Sequence, residues 1–276
     1  MSALPAEAAR DAHAFRRSFP MHVKLDRIVR AVGNAEGLTC VDIGLDNAMM
    51  SRLLRKTGGV WHTVAASEAA LRSARSLLDD NVHSLKKDAL PFKKKEFDIV
   101  VADNMLERVE NSESFIADCH RMMKPDGRLI FTASYRKKAT LIRPLRRWLG
   151  AVRDKTGTPH PGFTESELFA MLKDGFDFHG MHKFRRFFVE FTDVCVQALV
   201  RRAEAHGEQA DRKIMRIYSL ASPLYFLAAQ LDMLLFFTRG HCLIATAQRR
   251  AWLPRKTPVL TDGRTITEAV LSTIPR

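Results

Sequence analysis

From Leu38 onward, short apolar runs alternate with stretches whose apolar residues recur at helical spacing. That rhythm predicts a parallel α/β sheet with helices packed on it. Leu38–Ile43 (LTCVDI) reads as a short buried strand ending at Gly44, and Asn47–Arg55 has helical character. Val60–Ala66 (VWHTVAA) is a second strand. Ser67 is placed to cap a helix through Leu78, with Leu71, Ala74, Leu77 and Leu78 on one face. Phe97–Ala102 (FDIVVA) and Arg128–Ala133 (RLIFTA) are further strands. A helix over Ser114–Met123 and the turn Lys124-Pro125-Asp126-Gly127 separate them. Between Pro161 and Gly175, Thr164-Glu165-Ser166-Glu167-Leu168 has a hydroxyl start and a glycine stop, the marks of another helix. Cys242–Ala247 (CLIATA) is the final strand.

The rhythm breaks twice. Arg136–Lys155 (RKKATLIRPLRRWLGAVRDK) places Leu141, Ile142, Leu145, Trp148, Leu149 and Val152 on a single helical face, with Pro144 near the start and cations filling the remainder. Such a helix lies on an anionic lipid surface with Trp148 at headgroup depth, packs its apolar face on the sheet, or forms the substrate lid. Phe188–Arg239 is long and mostly helical, and within it Pro223–Phe237 (PLYFLAAQLDMLLFF) is apolar nearly all round. A buried helix is the expectation there; the alternatives are the lining of a greasy acceptor pocket or a dip into a bilayer. The expected organisation is an N-terminal helical extension (1–37), one α/β domain (38–250) containing both irregular segments, and a proline-bearing C-terminal tail (251–276).

Composition narrows the function classes. With 46% hydrophobic residues in 276, the chain buries a core and is not a disordered sequence. The formal net charge of +13 favours an anionic partner or a solvated basic surface. Nucleic acid is the weakest such partner, because no recognition motif accompanies the charge. Cys40, Cys119, Cys195 and Cys242 form no Cys-x-x-Cys pair and have no histidine at zinc spacing, so no metal site is expected. Their usage suits a reducing compartment. Met1–Pro20 lacks the apolar core of a signal peptide, and no uninterrupted apolar stretch reaches the roughly 18 residues of a membrane span. The expected location is cytoplasmic, with membrane contact through 136–155.

Three motifs carry chemistry. Val41-Asp42-Ile43-Gly44 is the turn leaving the first strand, where ligands sit in a doubly wound sheet and where glycine lets backbone approach a ligand. Lys87-Asp88-Ala89-Leu90-Pro91-Phe92 is a second turn before a strand. The third and most specific runs Asn104-Met105-Leu106-Glu107-Arg108-Val109, then Phe115, then Arg121-Met122-Met123-Lys124-Pro125-Asp126-Gly127. In that order the three resemble the class I S-adenosylmethionine (SAM) dependent methyltransferase family, in particular its small-molecule branch with LEHV and LKPGG motifs. Thr164, Glu167-Leu168 and Gly175-Phe176 look like that family's FT-x-x-EL…GF segment, so the resemblance covers Leu38 to about Phe187.

The resemblance implies a Rossmann-like, doubly wound, seven-stranded sheet with the last strand antiparallel, and SAM bound across the strand ends. It places Asp42, Gly44 and Asp46 in the first cofactor motif. Asp88, Ala89 and Leu90 fall against the adenine, and Asp103, Asn104 and Met105 under the methionine end. It implies methyl transfer to a small-molecule acceptor, lipid-linked or glycan-linked given the insertion and the basic helix. Glu107 and His160 are the candidate bases. The chain also departs from the family. Gly44-Leu45-Asp46-Asn47-Ala48 keeps only the first motif glycine, Arg108 replaces the LEH histidine, and Ala65 stands where an acid holds the ribose hydroxyls, with Glu68 displaced. A lost carboxylate contact of that kind costs on the order of 1.5–3 kcal/mol, about tenfold to a hundredfold in affinity. These departures define the alternative, a methyltransferase-like binding or scaffold subunit without turnover. The sequence does not fix the oligomeric state.

Overall fold

The computed structural model describes residues 6–45, 47–78, 81–85, 89–136, 144, 162–204 and 210–251. Seven strands form one sheet: β1 (Thr39–Ile43), β2 (Val60–Ala65), β3 (Val82–Ser84), β4 (Phe97–Asp103), β5 (Met123–Ser134), β6 (Phe176–Phe184) and β7 (Cys242–Arg249). Their order is β3-β2-β1-β4-β5-β7-β6. The pairs from β3 to β5 are parallel, and β7 runs antiparallel between β5 and β6. This is the Rossmann-like arrangement expected from the motifs, with the last strand antiparallel between the fifth and sixth. Chain order reverses between β1 and β4, so the loops leaving these two strands part and open a crevice there.

The sheet forms here because its central strands are apolar on both faces, as a parallel sheet covered on both sides requires. Cys40, Val41, Ile43, Ile99, Val100 and Val101 are all fully buried. Period-two alternation sends Val41, Ile43, Val100 and Phe131 to one layer, under α5 (Ser112–Met122) and α6 (Glu165–Leu172). It sends Cys40, Trp61, Ile99 and Ile130 to the other, under α2 (Phe19–Val32) and α3 (Ala48–Leu54). The helix starts follow their capping residues. Asn47 accepts from the Met49 N–H, Ser67 accepts from the Ala70 N–H to open α4 (Glu68–Leu77), and Thr164 with Glu167 forms a reciprocal capping box on α6.

α7 (Phe187–Glu204) and α8 (Ala210–Leu234) form a helical pair outside the sheet, joined by Val196, Val200, Ile214, Tyr218 and Tyr225. Ala14 of α1 (Ala6–Arg17) packs into the same cluster. Asp232, near the end of α8, accepts from the N–H groups of Phe188 (2.7 Å) and Val189 (3.2 Å) and so caps α7.

Three expectations are corrected or fall outside the structure. The Lys124–Gly127 turn is absorbed into β5: Met123 already pairs with Phe97, the register then shifts, and Asp126 takes a φ of 61°. Pro223–Phe237 is not a buried helix. A stripe of Ile214, Tyr218, Ala221, Tyr225, Ala228 and Asp232 faces inward, while Phe226 is 67% and Phe237 73% exposed. Counting apolar residues did not reveal that one side of α8 has no covering element among the described residues. Almost all of the basic segment Arg136–Lys155 lies outside the described residues. No helix among those described is long and apolar enough to cross a membrane.

One buried ion pair fastens the N-terminal helices to the sheet. Lys24 of α2 lies 2.9 Å from Asp103 at the end of β4, and the Thr132 hydroxyl of β5 donates to the same carboxylate. Burial alone would raise the Asp103 carboxyl, but Lys24 and Thr132 outweigh it and hold it below its usual range. The stabilisation is therefore present above the unfolded value of about 3.9 and is lost as pH falls through the lower folded value. Lys24→Met leaves a buried carboxylate without its cation and is expected to cost about 3–5 kcal/mol at pH 7. That gap should narrow below about pH 4, where the stranded carboxylate takes up a proton. Urea unfolding of both proteins at the two pH values checks this, and an equal loss at both would contradict it.

Candidate functional site

The site begins at the turn leaving β1. Gly44 has a φ of +80°, and its N–H donates to Val64 O at 2.9 Å. A Cβ built there would lie 2.4 Å from Met105 Sδ and 2.9 Å from Asp103 O. Only glycine lets this turn close against the end of β4. Asp42, two residues back, is fully buried and does not line the crevice. It accepts from Ser51 Oγ (2.9 Å) and Thr63 Oγ1 (2.8 Å) and lies 3.6 Å from Arg55. Burial pushes its carboxyl up to about 6, against the pull of Arg55 and the two hydroxyls. Its place ties β1 to β2 and α3.

A cleft of about 490 Å³ opens at the carboxyl ends of the strands. Its floor comes from Asp103, Asn104, Arg108 and Ser134 on one side, and from Asn47, Met50, Ser67 and Ala70 on the other. Asn104 sits in the left-handed region (φ 51°), its N–H donating to Thr132 O at 3.1 Å. The Arg108 guanidinium reaches Gly44 O at 3.5 Å, at the position of the family's histidine. Gly44, Asp103, Asn104 and Met105 are thus brought together. Asp103 and Asn104 line the cleft, and Met105 is buried beneath it. Leu90 belongs to the same core cluster as Met105, and Ala89 is exposed. Asp46, Asp88 and His160 lie outside the described residues. Glu107 holds the end of β5, accepting from both the N–H and the hydroxyl of Ser134. Ala65 packs among Ala48, Ala70, Leu71 and Ala74, and Glu68 is exposed.

Sequence reasoning missed the walls. Arg10, Asp11 and Lys24 of the N-terminal helices line the cleft, and Arg185, Glu190 and Asp193 line it from the α7 side. Asp11 accepts from Ala48 N (3.1 Å) and Ser73 Oγ (2.6 Å), and its carbonyl accepts from Asn47 Nδ2 (3.0 Å). Burial pushes the Asp11 carboxyl above its usual range despite these donors. Arg185 lies 2.8 Å from Asp193 and 3.5 Å from Glu190. The Asp11 contacts join residues far apart in the chain, so no local pattern announces them, whereas Arg185 meets carboxylates only five and eight residues on. The described residues contain no cluster of histidine, cysteine and carboxylate side chains that could hold a metal ion.

The cleft suits SAM, a zwitterion carrying a sulfonium and a sugar diol. Its volume lies in the ligand-pocket range of about 300–1,000 Å³. Cationic Arg108, the Asn104 amide and the carboxylate of Asp103 meet beside the close turn at Gly44. Residues 41–131 match a family model described as a methyltransferase domain. The ubiquinone biosynthesis O-methyltransferase of Maricaulis maris is 29% identical over 101 residues, 34% of this chain and 40% of that protein. The demethylmenaquinone methyltransferase of Tropheryma whipplei is 28% identical over 104 residues, 37% of this chain and 44% of that one. The chain thus spans less than half the length of these two relatives. The structure of the cyclopropane synthase MmaA2 from Mycobacterium tuberculosis superposes with a TM-score of 0.55 at 15% identity, covering 83% of this chain and 84% of that one, and shares the fold. The matched core at residues 41–131, the motif order and the strand topology together support a class I SAM-dependent methyltransferase domain in this chain.

Proposed function

We propose that the protein transfers the methyl group of SAM to a small-molecule acceptor inside the cleft. The observation that carries this reading is the convergence of Gly44, Asp103, Asn104 and Met105 where the strand order reverses. In this reading, the Gly44 turn, Asp103 and Asn104 hold the methionine end. The motif resemblance assigns Asp46 to the same cofactor motif, and Asp88, Ala89 and Leu90 to the adenine. Asp42 acts from beneath by fixing the turn. Bound SAM supplies an electrophilic methyl group, so the chain's task is mainly to align the acceptor atom in line with it. Glu107 and His160 are the candidate proton acceptors, and the hydrogen bonds from Ser134 to both Glu107 oxygens favour a positioning role for Glu107.

The acceptor enters between the Lys24 side of the cleft and α7. The relatives named for ubiquinone biosynthesis and demethylmenaquinone support a quinone-type acceptor. The exposed apolar side of α8 supports a lipid-linked acceptor over a glycan-linked one.

Isothermal titration with SAM and with its demethylated product tests the reading. The wild-type protein is expected to bind both. Gly44→Ala should weaken binding at least about tenfold, roughly 1.4 kcal/mol, because the added Cβ displaces Met105 and the end of β4. No SAM binding by the wild type at millimolar concentration would favour the non-catalytic binding-subunit alternative. Ala65→Asp provides a second check. It puts a carboxylate among Ala48, Ala70 and Leu71, so it should lower stability by about 1–3 kcal/mol without tightening SAM binding. Tighter binding with unchanged stability would show that position 65 faces the ribose.

A further inference from the structure

The outer side of α8 changes character along its length. Arg212 and Arg216 are exposed on its first turns, and from Leu220 onward the same side is apolar. Leu220, Phe226, Met233 and Leu234, with Phe236 and Phe237 just beyond the helix, are each 66–77% exposed. Arg239 follows and is exposed as well. Between Arg212 and Arg239 the sequence holds a single acidic residue, Asp232. Its carboxylate is turned inward onto the N–H groups of Phe188 and Val189. The result is an apolar ridge with cations at both ends and no outward carboxylate. Its exposed area is on the order of 1,000 Å², above the few hundred Å² that a soluble monomer usually shows in one patch.

A groove of about 330 Å³ opens beside this ridge, sharing Met233 with it. Arg27, Lys183, Arg186 and Arg239 line it, together with Phe19 and Val23. Its carboxylate Asp232 is committed to the α7 cap, and Lys183 also meets Glu165 outside the groove lining. An apolar ridge continuous with a cation-lined groove is complementary to a surface that is apolar within and anionic at its boundary. A second copy of this chain is a poor match, because it would bring Arg212, Arg216 and Arg239 against their own kind in a protein of net charge +13.

We propose that the outer side of α8 docks on an anionic bilayer. The helix lies in the plane of the interface, its leucine and phenylalanine side chains reach the acyl boundary, and the groove beside Met233 receives a lipid phosphate. This inference does not depend on SAM binding or turnover. The mode is interfacial, in keeping with the absence of a membrane-crossing helix among the described residues.

Co-sedimentation of the full-length protein with vesicles tests the proposal. Vesicles of phosphatidylcholine alone are compared with vesicles that also contain phosphatidylglycerol, at low and high salt. The wild type is expected to bind the anionic vesicles, less tightly at high salt. Leu234→Glu/Phe237→Glu should weaken binding at least tenfold. Arg27→Glu/Arg239→Glu should remove most of the salt-sensitive part. All four positions are at the surface or in the groove, and unchanged thermal unfolding midpoints confirm that the variants fold. Absence of wild-type binding to anionic vesicles at low salt would overturn the proposal, as would binding that Leu234→Glu/Phe237→Glu leaves intact. Sedimentation velocity supplies the remaining outcome. A wild-type dimer that the glutamate pair dissolves, without vesicle binding, would assign the ridge to a second copy and overturn it.

Discussion

A carboxylate buried at the end of a central strand must be neutralised, and Lys24 does this for Asp103 across the full span from α2 to β4. With Thr132 of β5 on the same carboxylate, three elements are fixed at one point. The position of α2 then determines that of α1, whose Asp11 meets the start of α3 through Ala48 and the body of α4 through Ser73. The cleft wall is therefore a consequence of charge compensation at its floor. A helical extension that only covered apolar surface could slide, whereas one holding a buried ion pair is held in register.

The same economy explains the shortened first motif. The glycine retained, Gly44, is the one whose Cβ would collide with Met105 and with the backbone of Asp103. Further along the loop stands Asn47, whose side chain caps α3 and donates to the Asp11 carbonyl. Part of what a glycine-rich loop offers a ligand, open backbone N–H groups, has become contact between the loop and α1. Arg108 extends this pattern, since its guanidinium reaches the Gly44 carbonyl from the opposite side of the crevice.

The central strands were legible because burial on both faces leaves continuous apolar runs such as FDIVVA, and the helix starts because Asn47, Ser67 and Thr164 act locally as caps. β3 is too short to leave a pattern, and β6 (FDFHGMHKF) is an edge strand buried fully only at its two ends, so neither stood out. Gly44 and the Asp103–Met105 segment were legible through motif order. Arg10, Asp11 and Lys24 were not, because their partners Asp211, Ser73 and Asp103 lie far away in sequence and the pairing exists only after folding. The apolar run in α8 was visible, but its exposure depends on what packs against it, which composition does not encode.

The most direct test of the cleft's role is a crystal structure of the full chain with the demethylated cofactor bound. The account predicts the ligand's methionine end beside Gly44 and Asn104, with the Lys24–Asp103 pair intact beneath it. A ligand bound elsewhere on the sheet, or a cleft closed by Met105 and Arg108 against saturating ligand, would contradict it.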